Sequence, residues 1–477
     1  MKEAALCLFI SIRSEGRHME FRIEHDSMGE VKVPTSALWG AQTQRSLENF
    51  PIGEEKMPLI MVYTITEIKR AAAQANADQG VLSTEKASAI VNACLEILDG
   101  KHDSMFPLTV WQTGSGTQTN MNVNEVIANI ANASLGGQLV HPNDDVNKSQ
   151  STNDVFPTAM HVSIIKSMIK LLIDLSSLIS IFESLAEEYM GLAKTGRTHL
   201  QDAAPITLGQ EIGGWASALS SCRGMLFASI DILRNVPLGG TAVGTGLNTK
   251  EGFDKLAVEY LSDNIGIELH PMNNKFAGLA SKCEAAQAHS AMKNLAGELL
   301  RIANDIRLLS SGPMSGIGEI VLPENEPGSS IMPGKVNPTQ AEALAMACVH
   351  VIGNDAAVSM GACLGSFQLN VMMPMIIYNA LQSASLLSDA ISSFALRCAS
   401  GIKPNYSRIQ DNLDRNLMLA TALAPVIGYE NTAIVAKKAL DEGISLKQAA
   451  LSMGFVGSSE FDAIMKVDQM LSPSDGH

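Results

Sequence analysis

Aromatic residues are scarce in this chain, at 5% of 477 residues, and charged residues make up only 17%. The 34 lysines and arginines are outnumbered by 49 aspartates and glutamates, giving a net charge of −15. That balance argues against a nucleic-acid partner or an anionic membrane surface. An anionic ligand then needs a local basic or helix-N-terminal pocket, because bulk attraction is absent. The seven cysteines (Cys7, Cys94, Cys222, Cys283, Cys348, Cys363, Cys398) are odd in number, scattered and free of CxxC spacing. They imply reduced thiols in a cytoplasmic compartment, with neither a disulfide frame nor a zinc site. Ten histidines form no HxxxH or HExxH pattern, so no metal or other cofactor is expected. Long apolar runs are missing too. Window 339–373 carries only Glu342 and Asp355 as charges, yet His350, Asn354 and several glycines and serines interrupt it, which argues against a membrane span.

What is present is length and helical pattern. A chain of 477 residues, 46% hydrophobic, has material for two to four domains and a large core. No proline falls between Pro157 and Pro205, Pro205 and Pro237, Pro237 and Pro271, Pro271 and Pro313, or Pro338 and Pro374. Such windows accommodate long unkinked helices. In the first, Ile165, Met168, Ile169, Leu172, Leu175, Ile179 and Phe182 follow the i, i+3, i+4, i+7 rule. A helix of about 30 residues spans about 45 Å, so several in series predict an elongated antiparallel bundle. The nearly uncharged window 339–373 predicts a helix buried all round, a condition met more readily inside an oligomer than in one bundle.

The expected fold is mainly α, in a three-domain chain. Residues 1–18 read as a poorly ordered extension, because their short apolar run has Glu3 before it and no small-residue cleavage site after it. Residues 19–148 mix a short β-like opening at Gly29–Pro34 with helices. Residues 149–406 form the central long-helix bundle, and 407–477 a small domain of shorter helices such as Asn431–Glu442 and Ser445–Met453.

The run Gly328-Ser329-Ser330-Ile331-Met332-Pro333-Gly334-Lys335-Val336-Asn337 is too rich in glycine and proline for a helix or a central strand. It carries hydroxyls, a lysine and an asparagine, groups able to hold an anion, and a nearby lysine can help a serine act as a base. Taken alone, it reads equally well as a polar linker.

Four segments in order change that balance. They are Thr113-Gly114-Ser115-Gly116-Thr117-Gln118-Thr119-Asn120-Met121-Asn122, Ser149-Gln150-Ser151-Thr152-Asn153-Asp154, Gly196-Arg197-Thr198-His199-Leu200-Gln201-Asp202, and the 328–337 loop. Together they resemble the fumarase/aspartase superfamily, and within it the class II, iron-independent fumarases. The resemblance runs from about Met19 to the C-terminus. It implies a homotetramer whose central domains pool their helices, with each active site drawn from three subunits. It also implies reversible hydration of a small dicarboxylate, fumarate, to malate.

Hydration of that kind needs a base for a weakly acidic C–H, donors for an aci-carboxylate carrying extra negative charge, and an acid for the leaving hydroxide. The resemblance assigns the base to Ser329 and substrate carboxylate contacts to Lys335 and Asn337. Ser151, Thr152 and Asn153 are expected just before a long helix, where hydroxyls and amides face a carboxylate at a helix N-terminus. Ser115 and Thr117 offer a similar small-residue nest. Thr198 and His199 resemble the pair that binds substrate and orients a water. The family glutamate that partners this histidine corresponds to Glu342, whose carboxylate in an apolar window needs a partner.

Aspartases carry glutamine where His199 stands, so aspartate ammonia-lyase activity is the alternative, and a non-catalytic structural protein on the same fold is a remoter one. Gly239–Asn248 and Lys275-Phe276 also look like fumarase, whereas Thr152 stands where fumarases commonly have serine. Two departures stand out. Met314 replaces the family's arginine after Ser311-Gly312-Pro313, removing a positive charge near the loop. An accessory dicarboxylate site is implied at His141, Asn143 and Asp144, but Gln138 stands where fumarases place an arginine.

Overall fold

The computed structural model describes residues 20–327, 331–332 and 334–472, so the extension expected over 1–18 lies outside the described residues. Strands β1 (Phe21–Asp26) and β2 (Gly29–Pro34) form an antiparallel hairpin with Phe21 opposite Pro34, at the place of the expected β-like opening. Alternation turns Val31 and Val33 into the core. Helices α1 (Ala41–Asn49), α2 (Leu59–Asp78), α3 (Thr84–Leu98), α4 (Thr117–Leu135) and α5 (Thr152–Glu188) follow. A second hairpin, β3 (Ala193–Thr198) and β4 (Gln201–Thr207), leads into α6 (Leu208–Leu233), α7 (Phe253–Ile265), α8 (Lys275–Ala280) and α9 (Cys283–Leu309). Then come α10 (Thr339–Cys363), α11 (Met373–Arg397), α12 (Tyr406–Asp414), α13 (Ala424–Ile427), α14 (Tyr429–Glu442), α15 (Leu446–Ser452) and α16 (Ser458–Ile464).

The fold is mainly α, as expected. Helices α6, α9 and α10 fill three of the proline-free windows. The window between Pro237 and Pro271 holds only α7, because its first part is a glycine-rich wrap. Helix α5, about 55 Å long at 1.5 Å per residue, begins at Thr152, beside the expected Ser151–Asn153 segment, and contains Pro157. Its start is fixed by side chains. Ser151 Oγ accepts from Asn153 N at 3.2 Å, and Asp154 Oδ1 accepts from Ser151 N at 2.9 Å, a reciprocal cap.

The described residues divide into two compact units, one within 1–163, 233–285 and 358–378, the other within 164–232, 286–357 and 379–477. In the first, α2 packs on α3 and α7, and α4 on α1 and α3. Met61, Ile65, Ile68 and Ala72 of α2 recur at helical spacing and are fully buried. Each such isoleucine stabilises the fold by about 1.5–3 kcal/mol. In the second unit, Phe182 of α5 meets Trp215 of α6 edge-on at 5.6 Å. Leu423, Val435, Ala449 and Phe461 form a separate core among the C-terminal helices.

The expected stripe on α5 is buried except at Ile169. Helix α10 departs further from expectation. Met346, Val349, Ile352 and Met360 are exposed, so the single chain does not bury it all round. Its length and composition would suit a membrane, but Asp355 within it pairs with Lys293 at 2.7 Å and His289 at 2.9 Å. A charged network of that kind belongs to a protein core and is costly in lipid.

Candidate active site

The helix N-termini expected to receive a carboxylate meet in the first unit. Gly116, at φ 76°, caps α4, and a Cβ there would lie 2.2 Å from the Phe156 ring. Gly114 is equally constrained, since a Cβ would sit 1.5 Å from Val371 O. These contacts press the Thr113–Thr117 turn against its neighbours, with Ser115 Oγ and Thr117 Oγ1 2.8 Å apart. Asn120 Nδ2, one turn into α4, donates to Thr152 Oγ1 at 3.0 Å on α5. Ser115, Thr117, Thr152 and, through its cap, Ser151 therefore belong to one cluster at two adjacent helix starts. Asn153 Nδ2 reaches Ala242 O at 2.7 Å in the glycine-rich wrap. That wrap is itself bound to α5, because Asp154 Oδ2 accepts from Gly239 N and Thr241 N, each at 2.9 Å. Burial pushes the Asp154 carboxyl up, and the amides of Ser151, Thr241 and Gly239 work against the shift.

The second unit carries the hairpin histidine. Thr198 pairs with Gln201, so His199 and Leu200 form a two-residue turn, with φ 56° and 59°. Two successive left-handed residues define a type I′ turn, normally given to Asn-Gly. A histidine and a leucine there store about 1–3 kcal/mol of strain each. The strand beneath is clamped. Arg197 donates to Glu319 at 2.9 and 2.7 Å, Lys194 approaches Glu319 and Glu211 at 3.1 Å each, and Asn412 donates to Glu319 at 3.0 Å. Burial alone would raise the Glu319 carboxyl. The Arg197 fork, Lys194 and Asn412 outweigh it and hold the group below the usual carboxylate range.

Thr198 and His199 are exposed at the tip. Among the described residues no hydrogen bond or ion pair joins His199 to Glu342, which sits half-buried in the first turn of α10. Lys335 and Asn337 are also exposed, and they line two adjoining clefts of about 170 and about 450 Å³. Ser329 lies outside the described residues. Met314 is 85% exposed. A cation still serves that segment, because Arg408 donates to Gly316 O at 2.7 Å and Ile317 O at 3.0 Å.

Two of the three accessory-site residues, His141 and Asn143, border a cavity of about 540 Å³ in the first unit, and Asp144 does not line it. His141 and Asn143 line it together with Glu24, Asp26 and Glu125, and among the described residues no lysine or arginine does. His141 Nδ1 is taken up locally, accepting from Asp144 N at 3.2 Å. Gln138 Oε1 accepts from Asn132 at 3.1 Å. Such a lining offers a dicarboxylate little charge compensation.

Several residues of these clusters carried no sequence signal. Asn120 had a weak one, since an asparagine inside a helix is unfavourable without a reason. Glu319 and Asn412 had none. Ser383, His289 and Asp355 stand in the hydrogen-bond order of a nucleophilic triad, at 2.9 Å per step. Ser383 and His289 are fully buried, however, so the set satisfies core polar groups and meets no substrate.

A lyase family model matches residues 29–353, and a model of the fumarase C C-terminus matches 419–472. The class II fumarate hydratase of Bacillus subtilis is 53% identical over 460 residues, covering 95% of this chain and 100% of that protein. That of Helicobacter pylori is 53% identical over 461 residues, with the same coverage. The crystal structure of recombinant class II fumarase from Schistosoma mansoni superposes with a TM-score of 0.94 at 41% identity, covering 96% of this chain and 100% of that one. At this identity and coverage, the chain belongs to the class II fumarate hydratase family of lyases.

Proposed function

We propose that the chain catalyses the reversible hydration of fumarate to (S)-malate through an aci-carboxylate intermediate, by general acid and base catalysis without a metal. The observation that carries this reading is the joining of the α4 and α5 N-termini through Asn120 and Thr152. Two helix starts lined with hydroxyls and amides suit one carboxylate of the substrate. Lys335 and Asn337, exposed on the loop before α10, suit a carboxylate as well. Ser329 takes the C3 proton, with loop amides and Lys335 lowering the cost of its alkoxide. His199 orients the water, and Glu342 partners it from another copy of the chain.

The last point rests on assembly. In a homotetramer the helices of 149–406 pool, flanked by 19–148 and 407–477, and each site draws on three subunits. The exposed apolar ridge of α10 supports such pooling. The lining of the 540 Å³ cavity argues against an accessory dicarboxylate site at His141, Asn143 and Asp144.

The test follows fumarate's ultraviolet absorbance with malate, and with aspartate and ammonia, before and after prolonged chelation. Malate should generate fumarate at an unchanged rate after chelation, and aspartate should not. Ser329→Ala should lower the rate by roughly 10²–10⁴-fold with the fold intact. Ammonia release from aspartate, or activity restored only by added metal, would overturn the reading.

A further inference from the structure

Lys69 is fully buried on α2, a costly place for an ammonium group. Its Nζ donates to Asn147 Oδ1 at 2.7 Å, and among the described residues no carboxylate pairs with it. The same oxygen accepts from Asn120 Nδ2 at 3.2 Å and Asn124 Nδ2 at 3.3 Å. Asn147 faces this way because its Nδ2 donates to the backbone carbonyl of Gln150 at 3.3 Å, which turns Oδ1 toward the three donors. Once that oxygen is set, both asparagines must turn their NH₂ groups toward it. Among the described residues, the buried Asn120 Oδ1 and Asn124 Oδ1 are then left without hydrogen-bond partners. Unsatisfied buried oxygens are rare and call for a compensating role. Asn120 Nδ2 also donates to Thr152 Oγ1, so that hydroxyl acts as an acceptor inward. Its own hydrogen is free to point outward.

A second anchor on the same face of α2 fixes this geometry. Asn76, seven residues beyond Lys69, donates to Lys148 O at 3.0 Å and accepts from Ser149 Oγ at 2.7 Å. Helix α2 thus grips the whole 147–149 segment that leads into α5. Burial brings the Lys69 amine down to about 7, with the Asp154 carboxylate and the Cys94 thiol of α3 acting in the other direction.

We propose that Lys69 is a positioning residue. Through Asn147 and Asn120 it sets the hydrogen-bond polarity of the α4–α5 cluster, so that Thr152 presents a hydrogen, and not a lone pair, to a bound carboxylate. The inference rests on the reading that this cluster receives a substrate carboxylate.

The test is a double-mutant cycle between Lys69→Met and Thr152→Val, read as KM for fumarate and, independently of turnover, as affinity for unreactive succinate by calorimetry. Lys69→Met should raise KM and weaken succinate binding by about tenfold, the scale of one lost hydrogen bond to a charged group. In the Thr152→Val background the same change should have little further effect, because the hydroxyl it orients is gone. Equal factors in both backgrounds, or no effect in either, would overturn the proposal. If Lys69→Met does not fold, Asn120→Ala interrupts the same chain one step nearer the hydroxyl and serves in the cycle. A wild-type protein that binds succinate but hydrates no fumarate would sink the functional reading while the calorimetric cycle still decided the role of Lys69. Failure of the wild-type protein to bind succinate would remove both.

Discussion

Replacing Glu319 by glutamine tests how the His199 turn is held. The carboxylate is fully buried and takes both arms of the Arg197 fork, Lys194 and Asn412. Glutamine keeps the shape but offers one acceptor oxygen and turns an NH₂ toward cations. Removing one partner of a buried ion pair costs about 3–5 kcal/mol. Lys194 keeps Glu211 at 3.1 Å, which places the expected loss toward the lower end of that range. Denaturant unfolding at pH 7, followed by circular dichroism, measures it. The sign with pH also follows. Glu319 titrates below its ordinary 4.5 in the folded chain, so its contribution is present above that value and is lost as pH falls through the folded pKa. The gap between wild type and Glu319→Gln should therefore close in acid. Activity should fall as well, because a misplacement of about 1 Å at a catalytic group costs about 10²-fold. A variant within about 1 kcal/mol of wild type at pH 7, with undiminished turnover, would refute the idea that this cluster holds the turn.

Gly114→Ala places a methyl 1.5 Å from Val371 O. It should abolish activity and lower the melting temperature, which thermal unfolding would reveal. Leu200→Gly relieves a left-handed leucine at φ 59°. It should raise stability by about 1 kcal/mol by equilibrium denaturation, after the added chain entropy of glycine is counted. Ser329→Ala and His199→Asn, each inactive alone, should recover roughly a quarter of wild-type activity when co-refolded in equal amounts, from one-half times one-half in closed assemblies. A mixture no more active than its parents, with subunit exchange verified, would mean that each site forms within one chain.

Much was legible in the sequence because it is local. Helix length followed from the spacing of prolines and apolar residues, and α6, α9 and α10 appear where that spacing placed them. The Ser151-Thr152-Asn153-Asp154 cap and the Thr198-His199 tip lie within single short segments, so their chemistry could be read in order along the chain. The start of α5 at Thr152 agrees with the helix expected after Ser151, Thr152 and Asn153, and Pro157 lies inside it.

Only the tertiary structure decided which distant groups meet. Lys69 and Asn147 are 78 residues apart, and Arg197 and Glu319 are 122 apart. Such pairs leave no periodic trace, because a hydrogen bond between remote segments constrains two positions without imposing a pattern on the residues between them. The exposed ridge of α10 has the same origin. Composition specifies that a helix is apolar, but which of its faces one chain covers depends on the packing of every other helix around it.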